Sequence, residues 1–377
     1  MRAMSRAERV RCAVTEADAL VLEAPRKLVH RSLPVPDIRP DNALLRVEAC
    51  GLCGTDHEQF TGVLPAGYAF VPGHEVVGTI EAIGSRAAGR WGVDVGSRVA
   101  VEVFQSCRVC GPCAAGDYRR CAVHGIGDMY GFISVDKAPG LWGGYARYQY
   151  LSPDTLLHRV PGSLDPVLAT LFNPLGAGVR WGVTLPGTGP GDVVAVLGPG
   201  IRGLSAVAAT KEAGAEFVLV TGKGQHDTGR LELAKRFGAD MVVDVERHDP
   251  VEVLRKRAGR LADVVVDVTA KAPAALAQSL ALARPGGTVV MAGTRGSAET
   301  PGFWPDLIVY KELTILGALG VDAEAYRIAL GLLDTGRYPF ADLPRRRVGL
   351  GEVASLLSDM AGEGADAPVH GVVEPWA

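Results

Sequence analysis

The sequence predicts an α/β fold in which an irregular, β-rich domain is joined to a doubly wound parallel sheet. Three observations carry that prediction. The first half of the chain consists of short apolar runs broken by Gly and Pro. From about residue 190, strand-like runs alternate with helix-forming stretches, and parallel strands need such crossovers. A Gly-x-Gly-x-x-Gly turn stands at the first strand-to-helix junction of that second region.

In the first half, residues 47–50, 76–80 and 98–102 read as strands separated by turns. In the second region the expected strands are 193–197, 217–220, 241–245, 264–268, 288–291 and 314–316. The helix-forming stretches between them are 204–213, 229–237, 250–257 and 273–282, with Gly214 and Gly238 where helix ends would fall. The last 55 or so residues return to mixed texture and are expected to fold back onto the first domain.

A chain of 377 residues has room for two domains at the usual ~100–200 residues each. Hydrophobic residues at 47% and charged residues at 21% fit a soluble globular protein. The net charge of −3 offers no basic footprint for nucleic acid and no polybasic patch for a membrane. Residues 1–9 lack the apolar core of a signal peptide, and no apolar run nears the ~20 residues of a membrane span. A cytoplasmic protein is therefore expected, and its seven cysteines read better as metal ligands than as a disulfide framework.

The turn Gly198-Pro199-Gly200-Ile201-Arg202-Gly203 is weak evidence alone, but an apolar strand precedes it and an Ala-rich helix follows. In that setting Gly198 allows the tight turn, Gly200 lets the backbone approach a pyrophosphate, and Gly203 lets helix and strand pack closely. Dinucleotide binding follows. An acid about 20 residues on would hold the ribose 2′-hydroxyl of NAD. Gly222 stands there instead, next to Lys223, which suits the 2′-phosphate of NADP; an acid from the extra loop 224–227 is the competing reading.

Cys107, Cys110, Cys113 and Cys121 form C-x2-C-x2-C-x7-C, the donor set of a closed structural Zn–S4 site. Iron–sulfur ligation and a nucleic-acid-binding zinc ribbon fit the spacing and charge less well. A second group, Cys53, Thr55, Asp56 and His57 with His74 and Glu75, supplies a thiolate, imidazoles and carboxylates. A catalytic zinc needs three protein ligands and one open position, and it lowers the pKa of a hydroxyl that occupies it.

With Gly143-Gly144-Tyr145-Ala146 and Lys311-Glu312-Leu313-Thr314-Ile315 in order behind these motifs, the chain resembles the zinc-containing medium-chain alcohol dehydrogenase family over nearly its whole length. The resemblance implies a GroES-like catalytic domain, residues 1–176 and 320–377, with a structural zinc lobe at 105–123. It implies a Rossmann domain over 177–319, a catalytic zinc in the cleft between the two, and dimers formed around residues 313–319 or tetramers built from them.

It makes Cys53 and His74 zinc ligands, Asp56 the group that orients His74, and Thr55 the hydroxyl that passes on the substrate proton. His57 is near the relay histidine of many members but one position early; its Cys-Gly-Thr-Asp-His-Glu setting is similar to some sugar dehydrogenases, and an exposed loop residue is the other reading. The third ligand is normally an anion where this chain has Asn173. Charge counting moves that role to Glu75, with Asn173 close by; the other reading is that Glu75 stands behind the ligands and a water completes the coordination. The reaction implied is hydride transfer between an alcohol, or its carbonyl, and NAD or NADP. Aromatics at Tyr130, Phe132 and Trp142, with Phe303 and Trp304, point to a hydrophobic or aromatic alcohol if they line a pocket, and to core packing if they do not. A polyol or sugar substrate is the alternative, and a non-catalytic nucleotide sensor a more distant one.

Overall fold

The computed structural model describes residues 12–64, 66–296, 298–360, 363 and 367–377; residues 1–9, read above as lacking an apolar core, lie outside that set. The chain forms two compact units, Met1–Phe172 with Ala341–Ala377, and Asn173–Phe340.

The first unit is built on a seven-stranded sheet. Its order is Arg345–Val348, His370–Val373, Ala43–Leu52, Glu75–Ile83, Arg98–Val101 and Leu157–Arg159, with Tyr148–Leu151 also paired to Ala43–Leu52. All neighbours are antiparallel except the first two strands, which run parallel. A separate hairpin, Glu16–Ala24 with Lys27–Pro34, packs into the same apolar core through Leu20, Val21 and Leu22. The sequence-based runs 47–50, 76–80 and 98–102 each mark a real strand, but the first two are longer than their apolar centres.

One register decides the chemistry. Gly51 pairs with Glu75 and Cys50 with Val76, so the end of one strand lies beside the start of the next. Cys53, just beyond the first strand, is thereby brought next to His74, just before the second. The helix Gly54–Thr61 begins immediately after Cys53.

The second unit carries a six-stranded, all-parallel sheet. Its order is Met241–Asp244, Phe217–Gly222, Val193–Leu197, Ala262–Asp267, Ala283–Met291 and Thr314–Gly317. The first strand in sequence therefore sits mid-sheet, with a switch point between it and Ala262–Asp267, where such sheets bind ligands at the strands' carboxyl ends. Val193–Leu197 is buried throughout, as a strand covered on both faces must be. The helices Ile201–Glu212 and Gly224–Arg236 are followed by Gly214 and Gly238 with φ of +93° and +104°, the left-handed geometry that ends a helix.

Two expectations need correction. Residues 224–227 are not a loop; they open the helix Gly224–Arg236. The resemblance also implied a second domain over 177–319, whereas the second compact unit runs from Asn173 to Phe340. Side chains account for that: Trp181 Nε1 donates to the Gly320 carbonyl at 3.0 Å, Arg180 pairs with Asp322 at 3.0 Å, and Arg337 pairs with Glu212.

Candidate active site

Cys53, His74 and Glu75 each offer one donor atom, and these atoms all lie within 4.8 Å of one another. All three residues are buried, and Asp56 beside them is 1% exposed. Room for the Glu75 carboxylate comes from Gly51, where a Cβ would fall 2.4 Å from Glu75 Oε2. Gly73, with φ of +92° and the Tyr145 ring 2.7 Å from where its Cβ would be, turns the chain so that His74 faces inward.

Asp56 holds this arrangement from behind. Its Oδ2 accepts the Cys53 N–H at 2.8 Å, closing the first turn of the helix, and its Oδ1 lies 3.5 Å from His74 Nδ1. At His74 burial works against positive charge, but the neighbouring Asp56 carboxylate outweighs it, so the imidazole's pKa stands well above its ordinary value. With Nδ1 turned to Asp56, Nε2 is the nitrogen left for the cluster. Thr55 Oγ1 stands 3.6 Å from Cys53 Sγ. His57 is half-buried on the same helix, not an exposed loop residue.

This donor set fits zinc. Thiolate, imidazole and carboxylate are its usual ligands, and three of them leave a position open. Two carboxylates and a thiol buried around one imidazole are costly without a cation to offset them.

The four-cysteine lobe is a different kind of site. Cys107 Sγ and Cys113 Sγ are 3.8 Å apart and Cys110 Sγ and Cys121 Sγ 4.0 Å, close to the ~3.8 Å edge of a tetrahedral Zn–S4 shell. Burial pushes the Cys113 thiol up to about 11. At Cys121 burial is outweighed by the N–H groups of Cys107, His124 and Val123, which bring it down to about 6. The lobe is tied to the sheet by Glu102, 1% exposed, which accepts from Tyr118 at 2.6 Å and contacts His158 Nε2 at 2.7 Å.

In the second unit the glycine turn has the geometry its spacing predicts. Gly198 has φ of +102°, and a Cβ on Gly203 would lie 1.8 Å from the Gly198 carbonyl oxygen. Nothing stands within 4 Å of a Cβ on Gly200, so the backbone there is open to a ligand. Asn173 is buried in the first turn of the helix Phe172–Val179.

Comparison with known proteins gives the family. The family model for the alcohol dehydrogenase GroES-like domain matches residues 39–162, and that for zinc-binding dehydrogenases matches residues 203–335. A Mycobacterium tuberculosis relative named "Probable alcohol dehydrogenase" is 67% identical over 95% of this chain and 98% of its own length. The chain belongs to the zinc-binding dehydrogenase family. It is a zinc- and nicotinamide-dependent alcohol dehydrogenase. Sorbitol dehydrogenase of Bacillus subtilis is 32% identical over 84% of this chain and 87% of its own. A solved zinc-binding dehydrogenase of Sinorhizobium meliloti, bound to NADP, superposes with a TM-score of 0.82 at 29% identity, covering 96% of this chain and all of that one.

Other expectations about this dehydrogenase change once the side chains are seen. Tyr130 and Trp142 belong to the core: both are buried, and the Tyr130 hydroxyl is 2.5 Å from Thr155 Oγ1. They do not wall a pocket. Phe132, half-buried, is the exception, its ring centroid 5.6 Å from that of His74. Tyr68 Oη donates to the Phe132 carbonyl at 2.9 Å, a contact no sequence signal announces. Phe303 and Trp304 are exposed in the second unit, by 41% and 53%. Among the described residues, no helix is long and apolar enough to cross a membrane.

Proposed function

We propose that this dehydrogenase oxidises apolar alcohols, or reduces the matching carbonyls, at a centre held by Cys53, His74 and Glu75, with NADP as its preferred cofactor. The observation that carries the reading is the buried cluster of those three donors, closed within 4.8 Å and backed by Asp56. Zinc, when bound there, polarises a hydroxyl and lowers its pKa, which readies the adjacent C–H for hydride transfer. Glu75 and Cys53 together balance a divalent charge, which a neutral Asn173 cannot do.

The remaining roles belong to the protein. Asp56 orients His74 and keeps its proton on Nδ1. Thr55 accepts the proton that leaves the alcohol, and His57, two residues along the same helix and not directly facing it, relays that proton through an intervening water. Phe132 supplies an apolar face beside His74, which favours a hydrophobic substituent on the alcohol and excludes water. The four cysteines hold a second zinc that secures the lobe.

Cofactor choice rests on the end of strand Phe217–Gly222. Asp227 is engaged locally, with Oδ2 accepting the Lys223 N–H at 2.8 Å and Oδ1 3.7 Å from Arg230. The Lys223 ammonium is 76% exposed and only loosely paired, 3.8 Å from Glu246, and can therefore reach a 2′-phosphate.

A polyol substrate is the second reading, supported by the Thr55-Asp56-His57-Glu58 segment and by the likeness to sorbitol dehydrogenase. Copies of the chain pair through the sheet-edge strand Thr314–Gly317, whose residues are exposed or half-buried, with Leu319 60% exposed beyond it. A cytoplasmic setting suits its seven cysteines, read as metal ligands rather than as a disulfide framework. The deciding experiment is a panel of aliphatic, aromatic and polyol alcohols, run with NAD and NADP on protein of known zinc content. Faster turnover of polyols than of apolar alcohols overturns the substrate assignment, and a large NAD preference overturns the role of Lys223.

A further inference from the structure

His57 faces charged partners that come from two distant parts of the chain. Its Nε2 is shut off from solvent and lies 3.9 Å from Glu363 Oε1. Glu363 is gripped in turn by Arg26 through two parallel bonds of 3.0 and 2.6 Å, the fork geometry that suits guanidinium and carboxylate. Arg26 and Glu363 are separated by 337 residues, and both lie outside the segments matched by the two family models.

The grip is anchored. Arg26 sits in the turn of the hairpin Glu16–Ala24 and Lys27–Pro34 with φ of +59°. Its N–H donates to the Phe60 carbonyl at 2.6 Å, and its guanidinium lies 5.8 Å from the Phe60 ring centroid. Pro25 packs where a Cβ on Gly62 would be, at 2.7 Å. The hairpin turn is thus docked on the helix that carries His57, and the carboxylate is held against that helix. The Arg26 guanidinium keeps the Glu363 carboxyl down at about 2, a permanent anion at working pH. Among the described residues, its neighbours along the helix include two further acids, Asp56, which is turned to His74, and Glu58.

We propose that Glu363, clamped by Arg26, is a positioning residue for His57: it fixes the imidazole proton on Nε2 and stabilises the imidazolium formed when Nδ1 takes the substrate proton. The inference rests on the reading of His57 as relay. In alcohol oxidation the O–H proton goes to His57 by way of Thr55 and the hydride goes to the nicotinamide. The imidazolium returns its proton to solvent before the next turnover. A fixed anion at a histidine favours the charged ring and selects its tautomer.

The test compares pH profiles of kcat/KM for alcohol oxidation in the wild type, His57→Gln, Glu363→Gln and Arg26→Gln, with zinc content and Tm measured on each. The same zinc-loaded proteins are titrated by NMR on labelled histidine, with His57→Gln identifying the His57 signal. Glu363→Gln should lower the His57 pKa and move the rising limb to lower pH by about one unit, with Arg26→Gln giving a smaller shift the same way. A limb that persists unchanged in His57→Gln defeats the relay reading itself. Loss of the limb in His57→Gln, with the limb and the His57 titration unmoved in Glu363→Gln, defeats this inference and spares the relay. Should Glu363→Gln lower Tm, the Arg26→Gln titration decides: an unmoved His57 signal there overturns the proposal.

Discussion

The two candidate zinc centres are built in opposite ways. In the lobe, four sulfurs come from one stretch of fifteen residues, three of them half-buried, and the chain between them can do little but bring them together. In the other centre the donors lie at the ends of two antiparallel strands, and only the pairing of Gly51 with Glu75 makes them neighbours. The lobe is a closed, single-element shell of thiolates. The buried centre mixes three donor types, leaves a position open and has a carboxylate behind its imidazole. A local site suits a staple, because its geometry survives motion elsewhere. A site spread across a sheet suits catalysis, because the rigid sheet fixes donors of different charge around one open corner.

The sharpest test of this contrast removes one sulfur from each centre. Cys110→Ser should lower zinc from two ions to one per chain and cost much of the lobe's stability, since structural zinc supplies about 10–16 kcal/mol in small zinc domains; Tm and metal analysis read it. Cys53→Ser should also leave one zinc, but with Tm little changed and kcat/KM down by about 10³-fold or more. If Cys110→Ser keeps its Tm, or Cys53→Ser loses the fold, the assignment of one staple and one working site fails.

Glu75→Gln addresses the third ligand. It should empty the buried centre while the lobe keeps its zinc, and full retention of both ions would defeat Glu75 as the third ligand. A smaller effect is expected from Asp56→Asn, which keeps the shape but removes the charge facing His74 Nδ1. Metal affinity or activity should fall about 10–100-fold, with Tm shifted only slightly.

A last test concerns a residue that is a donor of neither centre. His370 is buried on the strand His370–Val373, where burial and the Arg345 guanidinium, whose Nε donates to His370 Nδ1 at 2.9 Å, bring its pKa down to about 3. The folded chain therefore keeps it neutral, while an unfolded chain protonates it near pH 6.5. Stability is complete above that pH and falls as pH drops from 6.5 toward 3, by about 1.4 kcal/mol per pH unit. His370→Gln should flatten that part of the profile without touching zinc content; an unchanged slope would locate the acid sensitivity in the metal centres.

Much of this molecule was legible in its sequence, for a physical reason. Strand, turn and helix around Gly198–Gly203 follow from neighbours in the chain, so a short motif specifies them. Four cysteines within fifteen residues face little loop-closure entropy, so spacing alone brings them together. The alternation of strands and helices after residue 190 likewise needs only local periodicity to be recognised. The rest depended on contacts between residues far apart. Whether Tyr130 and Trp142 wall a pocket or fill a core is set by which side of the sheet they meet, and they fill the core. Glu75 turns toward Cys53 because a strand register and a missing side chain at Gly51 leave it space. Arg26 and Glu363 meet across 337 residues at His57, a meeting that hydrophobic pattern and motif cannot encode and that only the packed tertiary structure decides.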